Sequence, residues 1–310
     1  GCGKTRLVQE LYQTLKPTPK LMYAPSHERE NTLPLAPIVH CLRRHIPDDF
    51  WKDLKPIWFN QLSILLPELS EISDNQEALL SKELPTGKQR LFDALLQTFT
   101  LVSKKFGRIL FFLDDAQWAD KQTLQVLDYF FNHDFFNEHG LLIVATRTEE
   151  SNAALEDMVD NLHKIPHVEI LQINGLSPTE LRDLTQQALN VSPPPSFIDQ
   201  LYRETNGNPF IALEIIRNLL ETQADLNQFS SATRLPLPKN VQALIRRRFN
   251  RLEEKAQHLL QYAAVLGDDF VQHLLDELRC VVGNRLDQGH GARWFMGVMG
   301  IMGIMGGMGG

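Results

Sequence analysis

The stretch Ile109–Asp120, ILFFLDDAQWAD, decides the fold. Its continuous apolar run predicts a strand over 108–113 covered on both faces, since a strand with one wet face would alternate. The run ends in Asp114 and Asp115. Two acids at the C-terminal end of a buried parallel strand are costly without a counter-charge. A bound Mg²⁺ supplies one, and open α/β sheets place ligands at this end of their strands. Asp114 is expected to hold the metal directly or through water, and Asp115 to orient or activate an attacking water. The alternative is a pair of N-capping aspartates for the next helix, but Asp120 already suits that cap.

Two further stretches belong with this one. The opening GCGKT (Gly1–Thr5) matches the end of a G-x-x-x-x-G-K-[ST] phosphate loop, followed at once by a helical pattern. Gly3 lets backbone approach a phosphate, Lys4 can reach the β- and γ-phosphates, and the Thr5 hydroxyl can hold Mg²⁺. The competing reading is a flexible terminus ahead of a surface helix. Downstream, Leu141–Thr146 is a second continuous apolar strand, and Arg147 follows it. An arginine beside the acid-bearing strand can stabilise charge developing on a γ-phosphate. The bland alternative is an ion pair with Glu149 or Glu150.

Around these anchors the chain alternates. Leu7, Val8, Leu11, Tyr12 and Leu15 mark one helix face. Strands are expected at 20–24 and 168–173, and helices at about 88–105 and 121–132. Residues 34–84 read as a proline-punctuated, mainly helical insertion. Fully apolar strands separated by helices imply a parallel sheet covered on both faces. After about residue 175 only helical patterns remain, at 178–189, 195–205, 209–222, 238–249 and 252–265, with Ser177 and Glu180 forming a capping box. The polar stretch 221–234 reads as a linker.

The 310 residues are 43% apolar and 22% charged, with a net charge of −7, which fits a globular chain of roughly two domains. An acidic balance argues against direct nucleic-acid binding by this segment and against a DNA-translocating ATPase with a basic channel. No apolar run suits a membrane span. Cys2, Cys41 and Cys280 show no regular spacing, so the chain is expected in the reducing cytoplasm. Ten of 18 glycines lie after residue 282 and five of seven methionines after residue 295, so 283–310 is read as a disordered or artefactual tail.

Four stretches, GCGKTRLVQEL, ILFFLDDAQWAD, LLIVATRTEE and ETNGNPFIALEII, resemble the STAND branch of P-loop ATPases, the AAA-like modules of large bacterial regulators. The segment from Leu237 to Phe270 looks like the winged helix that follows in such proteins. The resemblance implies an α/β P-loop NTPase sheet with helices on both faces and its first strand missing. A helical lid and a winged-helix-like domain would follow. The implied boundaries are 1–175, 176–234 and 235–282, with the tail at 283–310. It further implies that Gly1, Gly3, Lys4, Thr5, Arg6 and Pro209 contact ATP, that Thr5 and Asp114 hold Mg²⁺, and that Asp115 and Arg147 serve catalysis. Trp118 and Asp120 are expected to pack and to cap. The implied partners are ATP and ADP, fused effector and sensor domains, and a further copy of the chain on activation.

The function these readings converge on is an ATP-dependent switch of a bacterial transcriptional regulator. Its alternatives are a non-hydrolysing scaffold and a cyclase-linked regulator. The first glycine of the phosphate loop and the strand before it are absent from the 310 residues. That strand is expected beside the acid-bearing one, so this chain is expected to bind ATP poorly; tight binding in a calorimetric titration with Mg–ATP would contradict this. The cluster Arg246, Arg247, Arg248 and Arg251 lies beside Glu253 and Glu254 and reads as a solvated face. His40, Cys41 and His45 lack the spacing of a helical metal site.

Overall fold

The computed structural model describes residues 3–71, 87–147, 153–162, 168–222 and 238–250, with 224, 226, 235, 257 and 258 besides. These divide into two compact units, one being Thr5–Ile170 and the other taking in Gly3 and Lys4 with the described residues from Leu171 onward. Most of the 221–234 linker, most of the 252–265 helix, most of the winged helix and the glycine-rich tail lie outside the described residues.

Three strands, β1 (Lys20–Pro25), β2 (Ile109–Asp114) and β3 (Gly140–Val144), form a parallel sheet in the order β1-β2-β3. Leu21 pairs with Leu110 and Leu110 with Leu141, so Ala24, Leu113 and Val144 end in line. Every residue of β2 is buried, as a central strand demands and as its unbroken apolar run implied. On one face Met22, Ala24, Phe111 and Leu113 pack beneath α2 (Ala36–His45), α4 (Gly87–Phe106) and α5 (Lys121–Asn132). Phe99 of α4 sits at the heart of this layer, with ring centroids 5.5 Å from Phe111 and from Phe130 and 6.4 Å from Phe135. The opposite face presents Leu21, Tyr23, Phe112, Ile143 and Ala145 to Val8 of α1 (Lys4–Thr14). The chain thus has a parallel sheet with helices on both faces.

Between β1 and α4 the insertion folds as α2, α3 (Pro56–Leu62) and short 3₁₀ turns at Glu28–Glu30, Asp48–Asp53 and Pro67–Glu71. Proline opens α3 at its first helical position, where the missing N–H costs nothing. After α5, α6 (Phe135–His139) leads into β3, and α7 (Ala153–Leu162) closes the described part of the unit.

The second unit is helical. α8 (Pro178–Leu189), α9 (Pro195–Thr205) and α10 (Pro209–Thr222) bury Leu181, Phe197, Leu201, Ile215 and Leu219 around one core, and α11 (Lys239–Phe249) follows in sequence. Each of α8, α9 and α10 begins with proline, and α8 and α9 stop at Asn190 and Asn206, which take the left-handed conformation common at helix ends. The capping box is formed: Glu180 N donates to Ser177 Oγ at 3.3 Å, and Ser177 N donates to Glu180 Oε2 at 2.7 Å.

The sequence reading departs from the structure at three places. Residues 168–177 form no strand, and Ile170 and Leu171 are exposed. An apolar run becomes a strand only where a neighbour completes its ladder. On α1 only Val8 is buried, and Leu7 and Leu11 are exposed. A three-strand sheet is roughly 10 Å across from strand to strand, too narrow to bury a five-residue face. Finally, the acid-bearing β2 is paired on both sides, by β1 and by β3. A strand preceding the phosphate loop is therefore not its neighbour, and the ladder groups of β2 are paired without it.

Candidate nucleotide and magnesium site

The C-terminal ends of β1, β2 and β3 and the first turn of α1 converge on Asp114. Its side chain is only 8% exposed and is held by three donors. Thr5 Oγ1 donates to Oδ2 at 2.8 Å, Tyr23 Oη donates to the same oxygen at 3.3 Å, and the Asp115 amide donates to Oδ1 at 3.1 Å. Thr5 and Asp114 are 109 residues apart, so this contact is a product of the fold. Burial first, then the charge and hydrogen bond of Asp114, push the Tyr23 phenol up to about 12, which keeps it a donor.

Asp115 is placed differently. Its backbone is left-handed, with φ +51°, which turns the chain out of β2 into the 3₁₀ turn Ala116–Trp118. Asp tolerates this conformation better than most residues. The Asp115 carboxylate is 43% exposed and lies 3.3 Å from Arg147 Nε. Buried Gln117 ties the two together: its Nε2 donates to Asp115 Oδ1 at 3.0 Å, and its Oε1 accepts from the Arg147 amide at 3.1 Å. Thr146 Oγ1 donates to the same Gln117 oxygen at 3.4 Å. Backbone bonds from Ala145 N to the Leu113 carbonyl and from Ala116 N to the Ala145 carbonyl, both 2.9 Å, lock the ends of β2 and β3 in register.

The structure thus brings Thr5, Asp114, Asp115 and Arg147 together. Gly3 is left-handed at φ +89° just before α1, Lys4 is the first residue of that helix, and Arg6 is paired along it with Glu10. Gly1, Glu149 and Glu150 lie outside the described residues. The acid pair does not cap α5, because Asp120 accepts from the amides of Gln122 at 2.9 Å and Thr123 at 3.0 Å. Trp118 is half-buried. Sequence reasoning missed Tyr23 and Gln117. Tyr23 stands two residues before the end of its strand with a hydroxyl on an otherwise apolar face, and that contrast was the available signal.

Pro209 is the first residue of α10, in the second unit. The triplet Gly207–Pro209 has a local structural explanation. Asn208 Oδ1 accepts from the amides of Phe210 and Ile211 at 3.1 and 3.3 Å, capping α10. Gly207 has φ +71°, and a Cβ there would meet the Leu176 carbonyl oxygen at 2.2 Å. Gly207→Ala should therefore destabilise the second unit by at least about 2 kcal/mol, from backbone strain plus the clash. Chemical unfolding checks this, and an unchanged midpoint would contradict it.

The residues considered for metal binding in α2 have other roles. His40 Nε2 lies 3.0 Å from Glu30 Oε2, and burial pushes the Cys41 thiol well up. Burial, with Arg44 and Lys20 nearby, holds the His45 imidazole below its usual range. Arg246 is exposed on α11.

Parallel strands, an acid pair at the end of the central one and a threonine from α1 fit a P-loop nucleoside triphosphatase fold. Residues 1–144 match the family model of the AAA ATPase domain. Among solved structures, the chain is similar to the RuvB Holliday junction branch migration motor of Thermotoga maritima at 14% identity. That match covers 56% of this chain and 63% of the motor's chain, with a TM-score of 0.31. Two variants of the same motor match at 14% and 13% identity, each with the same coverage and a TM-score of 0.30. The chain therefore spans less than two thirds of the length of these structures. No curated protein matches it. No described helix is long and apolar enough to cross a membrane.

The donor set fits Mg²⁺. Thr5 and Asp114 offer hard oxygen ligands, and Mg²⁺ in phosphate sites needs only one or two protein oxygens beside phosphate and water.

Proposed function

We propose that this chain is an ATP-binding, slowly hydrolysing switch module of the STAND class, working in the cytoplasm as part of a bacterial transcriptional regulator. The observation that carries the reading is the Thr5–Asp114 bond beside the Asp115–Arg147 pair. Thr5 and Asp114 would hold Mg²⁺, which supplies positive charge to the phosphates when bound. Gly1, Gly3, Lys4 and Arg6 would line the phosphates at the start of α1, and Pro209 would contact the nucleotide from a helical lid at 176–234.

Asp115 and Arg147 form the part that can report the γ-phosphate. A guanidinium within 3.3 Å of a half-exposed carboxylate can exchange that partner for a more highly charged phosphate oxygen. Such an exchange would free Asp115 to orient water, while Gln117 holds both residues near their places. Strand ends and lid would then differ between ATP and ADP states, and that difference is what a switch passes to its partners. The module would act on fused effector and sensor domains, with self-association on activation. Asp115→Asn in the full-length protein separates a hydrolysing switch from a scaffold: the switch loses turnover and keeps ATP, whereas a scaffold shows no change.

A further inference from the structure

Tyr23 carries a hydroxyl into the apolar cluster of Leu21, Phe112, Ile143, Ala145 and Val8. Its ring lies 5.5 Å from that of Phe112, and the Arg44 guanidinium of α2 lies 5.7 Å from its centroid. A phenylalanine would pack on the same neighbours. What the tyrosine adds is a donor, aimed at Asp114 Oδ2 at 3.3 Å.

Asp114 Oδ2 has two side-chain donors, Thr5 and Tyr23, and Oδ1 has the Asp115 amide. Thr5 is itself a metal ligand in the proposed site, so its hydroxyl has a second duty. The Asp115 amide belongs to a turn whose carboxylate pairs with Arg147. Tyr23 is the remaining donor, fixed by a strand and by ring packing. We propose that Tyr23 is a positioning residue for the Mg²⁺-binding acid: its hydroxyl fixes the orientation of the Asp114 carboxylate, with Arg44 holding the ring in place from α2. The inference rests on the nucleotide reading of the site.

The test uses Mn²⁺ as the probe, with ATP, in the full-length protein, and reads bound metal by electron paramagnetic resonance. Tyr23→Phe removes the hydroxyl and keeps the ring. It should raise the Mn²⁺ concentration for half-saturation about ten- to hundredfold, the effect of losing one hydrogen bond to a charged metal-binding group. ATP affinity in the presence of EDTA and the melting temperature should stay at the wild-type values. Tyr23→Leu, which also removes the ring, should shift metal binding at least as far. An unshifted Tyr23→Phe protein overturns the inference while leaving the nucleotide site standing. So does a shift in Tyr23→Leu alone, which would assign the effect to packing, or a Tyr23→Phe protein that fails to fold. Wild-type ATP binding that Mn²⁺ does not strengthen would overturn both the inference and the reading beneath it.

Discussion

Asp115→Asn in the full-length protein should lower ATP turnover about a hundred- to thousandfold while leaving ATP binding within about twofold of wild type, as expected when one acid–base group is removed and binding groups are kept. The two acids differ in surroundings, and this separates their roles. Asp114 is buried and receives three donors, which suits a fixed metal ligand. Asp115 is half-exposed, and its partners are Gln117 Nε2 and Arg147 Nε. Asparagine has nearly the same shape and can still accept from Gln117, so the turn out of β2 should survive. What it lacks is the charge that pairs with Arg147 and the basicity that activates water. A single-turnover measurement with ATP, alongside nucleotide binding, checks both parts. Unchanged turnover would place the catalytic group elsewhere or make the module a scaffold.

Phe99→Ala should destabilise the unit Thr5–Ile170 by about 3–5 kcal/mol, the range for removing a large aromatic from a well-packed core. Phe99 is fully buried and touches the rings of Phe111, Phe130 and Phe135, so it joins α4, β2, α5 and α6 at one point. No single neighbour can move to fill the space, because each is anchored in a different element. Proteins of this kind hold only about 5–15 kcal/mol in total, so the loss is a large share. Because the chain has two compact units, the change should appear in the transition of one of them. Urea unfolding followed by a probe in each unit checks this, and a loss under about 1 kcal/mol would show that the core adapts.

The helices were the most legible feature of the sequence. α5, α8, α9 and α10 follow the 3.6-residue period, and their starts are written in Asp120, Ser177, Pro195 and Pro209. β2 was legible because nothing polar interrupts it. The apolar run at 168–173 misled because burial of a strand depends on its neighbours, and an edge cannot be read from residues alone. Strand order was hidden for the same reason: pairing on both sides of β2 is a long-range fact. At the site, Thr5, Asp114, Asp115 and Arg147 were legible from their places at helix starts and strand ends. Tyr23 and Gln117 were not, because their roles come from contacts across 91 residues in one case and 30 in the other.

The central claim is that Thr5 and Asp114 form a magnesium site for a bound nucleotide. Calorimetric titration of the full-length protein with ATP, with and without Mg²⁺, tests it most directly. Saturable binding that Mg²⁺ strengthens by about tenfold or more is predicted, with Asp114→Ala removing the gain from Mg²⁺ and leaving metal-free binding in place. Binding indifferent to Mg²⁺, or a gain that survives Asp114→Ala, would contradict it.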